Sequence, residues 1–119
     1  MSFEKRKNPR FNCSNPEKCP IDFKEHKGKG RLLNLSRSGI ALQSSEHLEK
    51  DKTYQFEIGS HLLDRLISCE ARVLWTREET GTRKHTCGAR ILQMDPSSKI
   101  DLLDTLYEDW KQKVTSNLL

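Results

Sequence analysis

The chain has 119 residues, of which 34% are hydrophobic and 32% charged, and carries a net charge of +4. This length accommodates one domain with a modest core, and the composition is that of a folded soluble chain, not a disordered one. No apolar run approaches the roughly 20 residues of a membrane span, and the basic N-terminus lacks the apolar stretch of a secretory signal, so a cytoplasmic protein without membrane insertion is expected.

The charge is unevenly placed. Residues 1–31 hold nine Lys/Arg against four Asp/Glu, a balance of +5, while the remaining 88 hold twelve against thirteen, a balance of −1. The excess positive charge is thus confined to the first quarter, which reads either as a solvated basic tail or as an arm that meets an anion. Cys13, Cys19, Cys69 and Cys87 form no Cys-x-x-Cys pair and lack an export signal, so they are expected as reduced thiols. The four histidines show no ligand spacing relative to these cysteines, and no metal or cofactor is expected.

Residues 1–18 are polar, basic and interrupted by Pro9 and Pro16, which predicts a flexible arm. Within it, Arg6-Lys7-Asn8-Pro9-Arg10 places two guanidinia four residues apart in a segment that Pro9 biases toward extended geometry. Residues 19–94 read as a β region. Ile21 and Phe23 alternate with Asp22 and Lys24, predicting a half-buried strand over Pro20 to His26. Lys27-Gly28-Lys29-Gly30 is a hairpin turn signal, and Arg31 to Leu35 returns as a second strand. Ile40 to Ser44 is the third.

A helical turn is expected between Glu46 and Lys52. Tyr54, Phe56 and Ile58 then alternate on one face of a fourth strand, which Gly59 is expected to break. Leu66 to Trp75 carries Leu66, Ile67, Cys69, Ala71, Val73 and Trp75, mostly at period two, and Thr76 to Arg83 reads as a polar loop. Lys84 to Met94, with Cys87, Ala89 and Ile91 on one side, is the last strand. About six strands at these intervals suit a small barrel or closed sandwich. Residues 95–119 begin with Asp95-Pro96, an N-cap followed by proline at the first helical position. Ile100, Leu103, Leu106, Tyr107, Trp110 and Val114 follow at spacings of three and four, predicting an amphipathic helix of about four to five turns. This stripe is expected to pack on the β region, with part of it, Trp110 above all, as a possible partner surface.

Between the second and third strands lies Asn34-Leu35-Ser36-Arg37-Ser38-Gly39. Asn and Ser hydrogen-bond local backbone, and Gly39 is able to take positive φ, so the segment reads as a turn presenting polar groups at a strand end. Glu78 and Glu79 have no paired base or nucleophile nearby in the sequence, and no enzymatic apparatus is apparent.

An Arg-x-x-x-Arg arm (Arg6, Arg10), a hairpin, then Asn-x-Ser-x-x-Gly (Asn34, Ser36, Gly39) at a strand end resembles the PilZ domain, a bacterial receptor domain for cyclic di-GMP. Gly88-Ala89-Arg90-Ile91 is similar to the final-strand signature of that family, and the β-then-helix order matches along nearly the whole chain. Asn34 stands where many members carry Asp, exchanging a carboxylate for a neutral amide. The resemblance implies a mainly β fold: a small six-stranded antiparallel barrel of the split-barrel kind, with a C-terminal amphipathic helix and a basic N-terminal arm. It further implies a cyclic di-GMP receptor and adaptor in the bacterial cytoplasm, not an enzyme, with Arg6, Arg10, Asn34, Ser36 and Gly39 on the ligand. Lys5, Lys7, Arg37 and Arg90 are further candidate contacts. Ligand binding is expected to fold the arm onto the barrel and change a surface read by a protein effector. Nucleic-acid polymers are not expected partners. The alternative is a PilZ-like interaction module that does not bind the nucleotide.

Overall fold

The computed structural model describes residues 11–13, 19–25, 28–60, 63 and 65–118. Their elements run β1 (Phe11–Asn12), β2 (Pro20–Phe23), β3 (Lys29–Leu35), β4 (Gly39–Ser44), β5 (Thr53–Ser60), β6 (Arg65–Glu78), β7 (His85–Met94) and α1 (Pro96–Leu118). Every pairing is antiparallel. The order β3-β2-β5-β6-β7-β4 returns to β3 through a β3–β4 pairing, so six strands close a barrel. The two-residue β1 shares the β2 edge of β3: β2 pairs with its first residues and β1 with its last.

The alternation in the sequence sets the inside of this barrel. Ile21, Leu32, Leu35, Leu42, Phe56, Ile58 and Val73 are almost wholly buried. Phe23 stands edge-on to Phe56 at 5.6 Å and 61°, and to Tyr54 at 6.3 Å and 74°, the geometry aromatic quadrupoles favour. Cys69 and Cys87 lie in this core, where burial pushes each thiol up to about 12. Cys13 and Cys19, also buried, place their Sγ atoms 3.5 Å apart where β1 and β2 flank β3.

Several boundaries differ from the sequence expectation. β2 ends at Phe23, and Lys29 and Gly30 already belong to β3. Gly59 does not break β5 but lies within it, paired with Leu66. Thr76 to Glu78 continue β6, paired with Cys87, Thr86 and His85. Residues 46–52 form no helical turn: Leu48 instead plugs the core, the Glu49 N–H donates to the Tyr54 hydroxyl at 2.9 Å, and Asp51 turns the chain with φ 68°. The Asp51 N–H also donates to the Val73 carbonyl at 2.8 Å and the Val73 N–H to the Lys52 carbonyl at 3.0 Å, so bonds to β6 and one buried leucine hold this segment without helix. Phe11–Asn12, inside the stretch read as an arm, is paired to β3.

The helix start is as expected. The Asp95 carboxylate accepts from the Ser97 hydroxyl at 2.6 Å and the Ser98 N–H at 3.0 Å, which holds its carboxyl below the usual range. Its packing face is not as expected. Leu102 and Leu106 are buried and Leu103 partly so, whereas Ile100, Tyr107 and Trp110 are exposed. The helix carries two apolar lines that meet at Leu103, and the barrel covers the one that includes Leu102. No helix among the described residues is long and apolar enough to cross a membrane.

Candidate functional site

β3 does not alternate strictly. Leu32 and Leu35 are both fully buried, a spacing of three, because the pairing with β4 shifts between Leu32 and Asn34 and leaves Leu33 as an extra residue. Such a bulge re-aims the side chains beyond it. With a regular strand, Leu32 and Asn34 would share the core face. The bulge puts Leu35 inside and turns Asn34 to the outer face.

Asn34 then joins a cross-strand row. It lies opposite Asn12 of β1 on one side and Ala41 of β4 on the other; Ala41 lies opposite Gly88 of β7, and Gly88 opposite Trp75 of β6. Directly opposed residues share a face, and the core positions on either side of Ala41 and Gly88 (Ile40, Leu42, Cys87 and Ala89) fix that face as the outer one. Adjacent strands are about 4.8 Å apart, so Asn34 and Trp75 bracket a floor of two small residues about 14 Å wide.

A second bulge makes the Trp75 side. The β6–β7 register shifts between Val73 and Trp75, so Val73 stays inside and Trp75, expected there by period two, turns out with 42% of its surface exposed. Its indole lies over Gly88: a Cβ built on Gly88 would meet Nε1 at 2.2 Å. Gly88→Ala is therefore expected to push the indole off the sheet. Because the ring is half exposed it can swing away, so the stability loss should stay at about 1–2 kcal/mol, with tryptophan emission shifted to the red. Unchanged emission would show that the ring does not rest on Gly88.

Basic residues lie on both sides of this row. Arg77, Thr86, Gln43 and Arg31 form the neighbouring row on one side, and Arg72, Arg90 and Gly39 on the other. Arg72 approaches Asp51 at 3.7 Å, and among the described residues neither Arg37 nor Arg90 makes an ion pair. Glu79 accepts from the Thr86 hydroxyl at 2.6 Å and the Gln43 amide at 3.3 Å; the Thr86 bond is the main reason its carboxyl lies below the usual range.

The turn that closes β3 onto β4 is built by Ser36. Its N–H donates to the Gly39 carbonyl at 2.9 Å, and its buried hydroxyl accepts the Gly39 N–H at 3.0 Å. Two further contacts pin the turn: the Ser38 carbonyl accepts the Ile91 N–H, and the Arg37 carbonyl accepts the Lys99 ammonium, each at 2.8 Å. Gly39 does not use positive φ, and a Cβ there would stand 3.5 Å from the Ala89 carbonyl, an ordinary contact. Neither backbone strain nor close packing therefore demands glycine at this position.

Asn34, Gly39 and Arg90 thus come together beside Ala41, Gly88 and Trp75, while the Ser36 hydroxyl is engaged within the turn. Arg6, Arg10, Lys5 and Lys7 lie outside the described residues. In the sequence Arg10 directly precedes Phe11, which pairs with Leu35, while Asn12 pairs with Asn34. Sequence reading missed Trp75 as a surface group. Leu74-Trp75 sets two large apolar residues side by side, which marks a break in alternation, as Leu66-Ile67 also does, without saying which residue turns outward. A hollow of about 420 Å³ lies elsewhere, lined by Lys24, Gln55, Glu70, Met94 and Asp95 among others; it mixes both charges and has no aromatic ring.

The comparisons agree with this architecture. The PilZ domain of YcgR from Escherichia coli, solved with c-di-GMP, superposes with a TM-score of 0.71 at 13% identity, covering 98% of this chain and 100% of that one. The Bacillus subtilis inhibitor of motility, MotI/DgrA, superposes with a TM-score of 0.73 at 16% identity over 93% of this chain, which spans only 53% of that protein. Comparison with curated proteins returns no match. The PilZ domain model matches residues 4–108, and the chain therefore belongs to the PilZ domain family.

Proposed function

We propose that this chain is a cyclic di-GMP receptor that takes the nucleotide on the outer face of β3, β4, β7 and β6. The observation that carries this reading is the row Asn34, Ala41, Gly88, Trp75: a small-residue floor with an amide at one end and an indole at the other. Family membership and the likeness to a PilZ domain solved with c-di-GMP support it.

The chemistry follows from the ligand's two guanines and two phosphates. Guanine offers O6 and N7 acceptors that a guanidinium meets with two parallel hydrogen bonds, the role assigned to Arg6 and Arg10. A purine face stacks on the exposed side of the Trp75 indole, which the missing Cβ of Gly88 lets lie close to the sheet. The Asn34 amide donates and accepts at a base edge or phosphate, Ser36 holds the turn in shape, and Gly39 leaves the approach open. Arg37 and Arg90 supply charge toward the phosphates, with Lys5 and Lys7 adding to it from the arm. Residues 1–18 act as the arm that closes over the nucleotide, shifting toward the closed form by as much as the ligand prefers it. The changed surface is then read by a protein effector. No bond is made or broken.

Calorimetric titration of the chain with cyclic di-GMP, GTP and a single-stranded oligonucleotide at two salt concentrations tests this. Micromolar or tighter binding of cyclic di-GMP alone, with a shallow salt dependence, is expected; a general polyanion site would show a steep one. No heat and no thermal shift with cyclic di-GMP would overturn the reading and leave an interaction module.

A further inference from the structure

Four buried thiols take no part in the binding face, and two of them adjoin. Cys69 belongs to β6 and Cys87 to β7, strands paired on both sides within the closed barrel. Cys13 and Cys19 are placed differently. The Cys13 N–H donates to the Leu33 carbonyl at 2.8 Å, and the Cys19 carbonyl accepts the Leu32 N–H at 2.9 Å. Both therefore flank the same edge of β3, about one strand step of 3.3 Å apart. Their Sγ atoms are 3.5 Å apart. A disulfide holds its sulfurs about 2.05 Å apart, so the gap to close is about 1.5 Å, within reach of side-chain rotation.

The closed form protects the pair. Cys13 is 8% exposed and Cys19 3%, and the hydrogen bond with Cys13, followed by burial, raises the Cys19 thiol above its ordinary range. The way in is β1, which is paired to β3 through Phe11 and Asn12 and rests against α1. The barrel closes without it. Lifting so short an edge strand costs far less than opening the barrel, and it uncovers Cys13 and with it Cys19.

We propose that Cys13 and Cys19 form a peroxide-sensitive dithiol whose disulfide clasps β1 to the barrel. In the opened molecule the Cys13 thiolate attacks a peroxide oxygen. An S–O bond forms, the O–O bond breaks, and the leaving oxygen takes a proton and departs as water. The Cys19 thiolate then attacks the sulfenic sulfur, forming the S–S bond and expelling a second water. The two sulfurs are oxidised, the peroxide is reduced, and both thiol protons end in water. Two equivalents of a small-molecule thiol, themselves oxidised to a disulfide, reverse the step by exchange. Asn12 lies opposite Asn34, so the clasp holds the edge at which the proposed binding row begins. The disulfide itself does not depend on what that row binds.

Mass spectrometry and amide hydrogen exchange on the full chain, reduced and then treated with hydrogen peroxide, test this. The expected product has lost two hydrogens, yields one cross-linked peptide joining Cys13 to Cys19, and reverts with thiol. Cys69 and Cys87 should still be alkylated as thiols after unfolding. Exchange of the Cys13 amide should slow by about tenfold in the oxidised form, because a cross-link over so short a loop restricts the opening of β1. In Cys19→Ser, whose folding circular dichroism verifies, peroxide should not slow that exchange; the reduced and oxidised wild type decide the matter even if this variant fails to fold. Thiols that survive peroxide, oxidation to sulfinic acid without a cross-link, or a disulfide to Cys69, Cys87 or a second chain overturns the proposal. So does a Cys13 exchange rate that oxidation leaves unchanged.

Discussion

Replacing Arg6 and Arg10 together with alanine is expected to weaken cyclic di-GMP binding by about 30-fold to 10⁴-fold. Each bidentate guanidinium–guanine contact is worth on the order of 1–3 kcal/mol, and about 1.4 kcal/mol is a factor of ten. The fold should be unaffected, because the core among the described residues, from Cys13 to Leu106, rests on the closed ladder of strands. The double lysine variant separates geometry from charge. An ammonium keeps the attraction to phosphate but loses the planar fork, so it should recover only a minor part of the loss. Titration of the three proteins at one salt concentration decides the matter. Full recovery with lysine would mean that the arm acts through charge alone and reads no base. A double alanine variant that binds like wild type would remove the arm from the site altogether.

Phe56→Ala is the corresponding expectation for stability. Phe56 is 1% exposed, is the largest fully buried side chain among the described residues, and meets Phe23 edge-on. Its truncation removes the transfer free energy of a benzyl group and leaves a cavity in a barrel that closed strand pairing prevents from collapsing. A loss of about 3–5 kcal/mol is expected, against a total of about 5–15 kcal/mol for a domain of this kind. Urea unfolding should show a much lower midpoint with an unchanged slope. Phe56→Leu, which keeps most of the volume, should lose far less. A loss below about 1 kcal/mol for Phe56→Ala would mean that the core can repack around the gap.

The contrast between Phe56 and Trp75 shows what the sequence could and could not convey. Tyr54, Phe56 and Ile58 alternate in a strand without a bulge, so period two places all of them correctly. Asp95-Pro96 likewise fixes its helix start through local hydrogen bonding and the proline ring alone. Trp75 and Asn34 lie just past bulges, where one extra residue inverts the face of the next side chains. A bulge is a mismatch between two strands, so neither strand's own pattern is enough to locate it. The same holds for α1: Leu102, Leu103 and Leu106 allow either of two lines to face inward, and only the barrel surface chooses between them. The Asn-x-Ser-x-x-Gly turn was legible as a motif, but the division of labour within it was not. Ser36 spends its hydroxyl on the Gly39 backbone, and Gly39 does without the positive φ that the motif suggested.

The measurement that tests the central claim most directly is a titration of the ¹⁵N-labelled chain with cyclic di-GMP followed by NMR. The two tryptophans give two indole N–H signals that serve as internal reporters. Trp75 lies on the proposed binding face, and Trp110 on the far half of the helix. If the nucleotide lies across the row from Asn34 to Trp75, the Trp75 indole signal and the amides of Asn34, Ala41 and Gly88 should move, while the Trp110 indole stays. A titration that saturates with Trp75 unmoved, and with its shifts gathered around Trp110 or around Lys24 and Glu70, would contradict that placement.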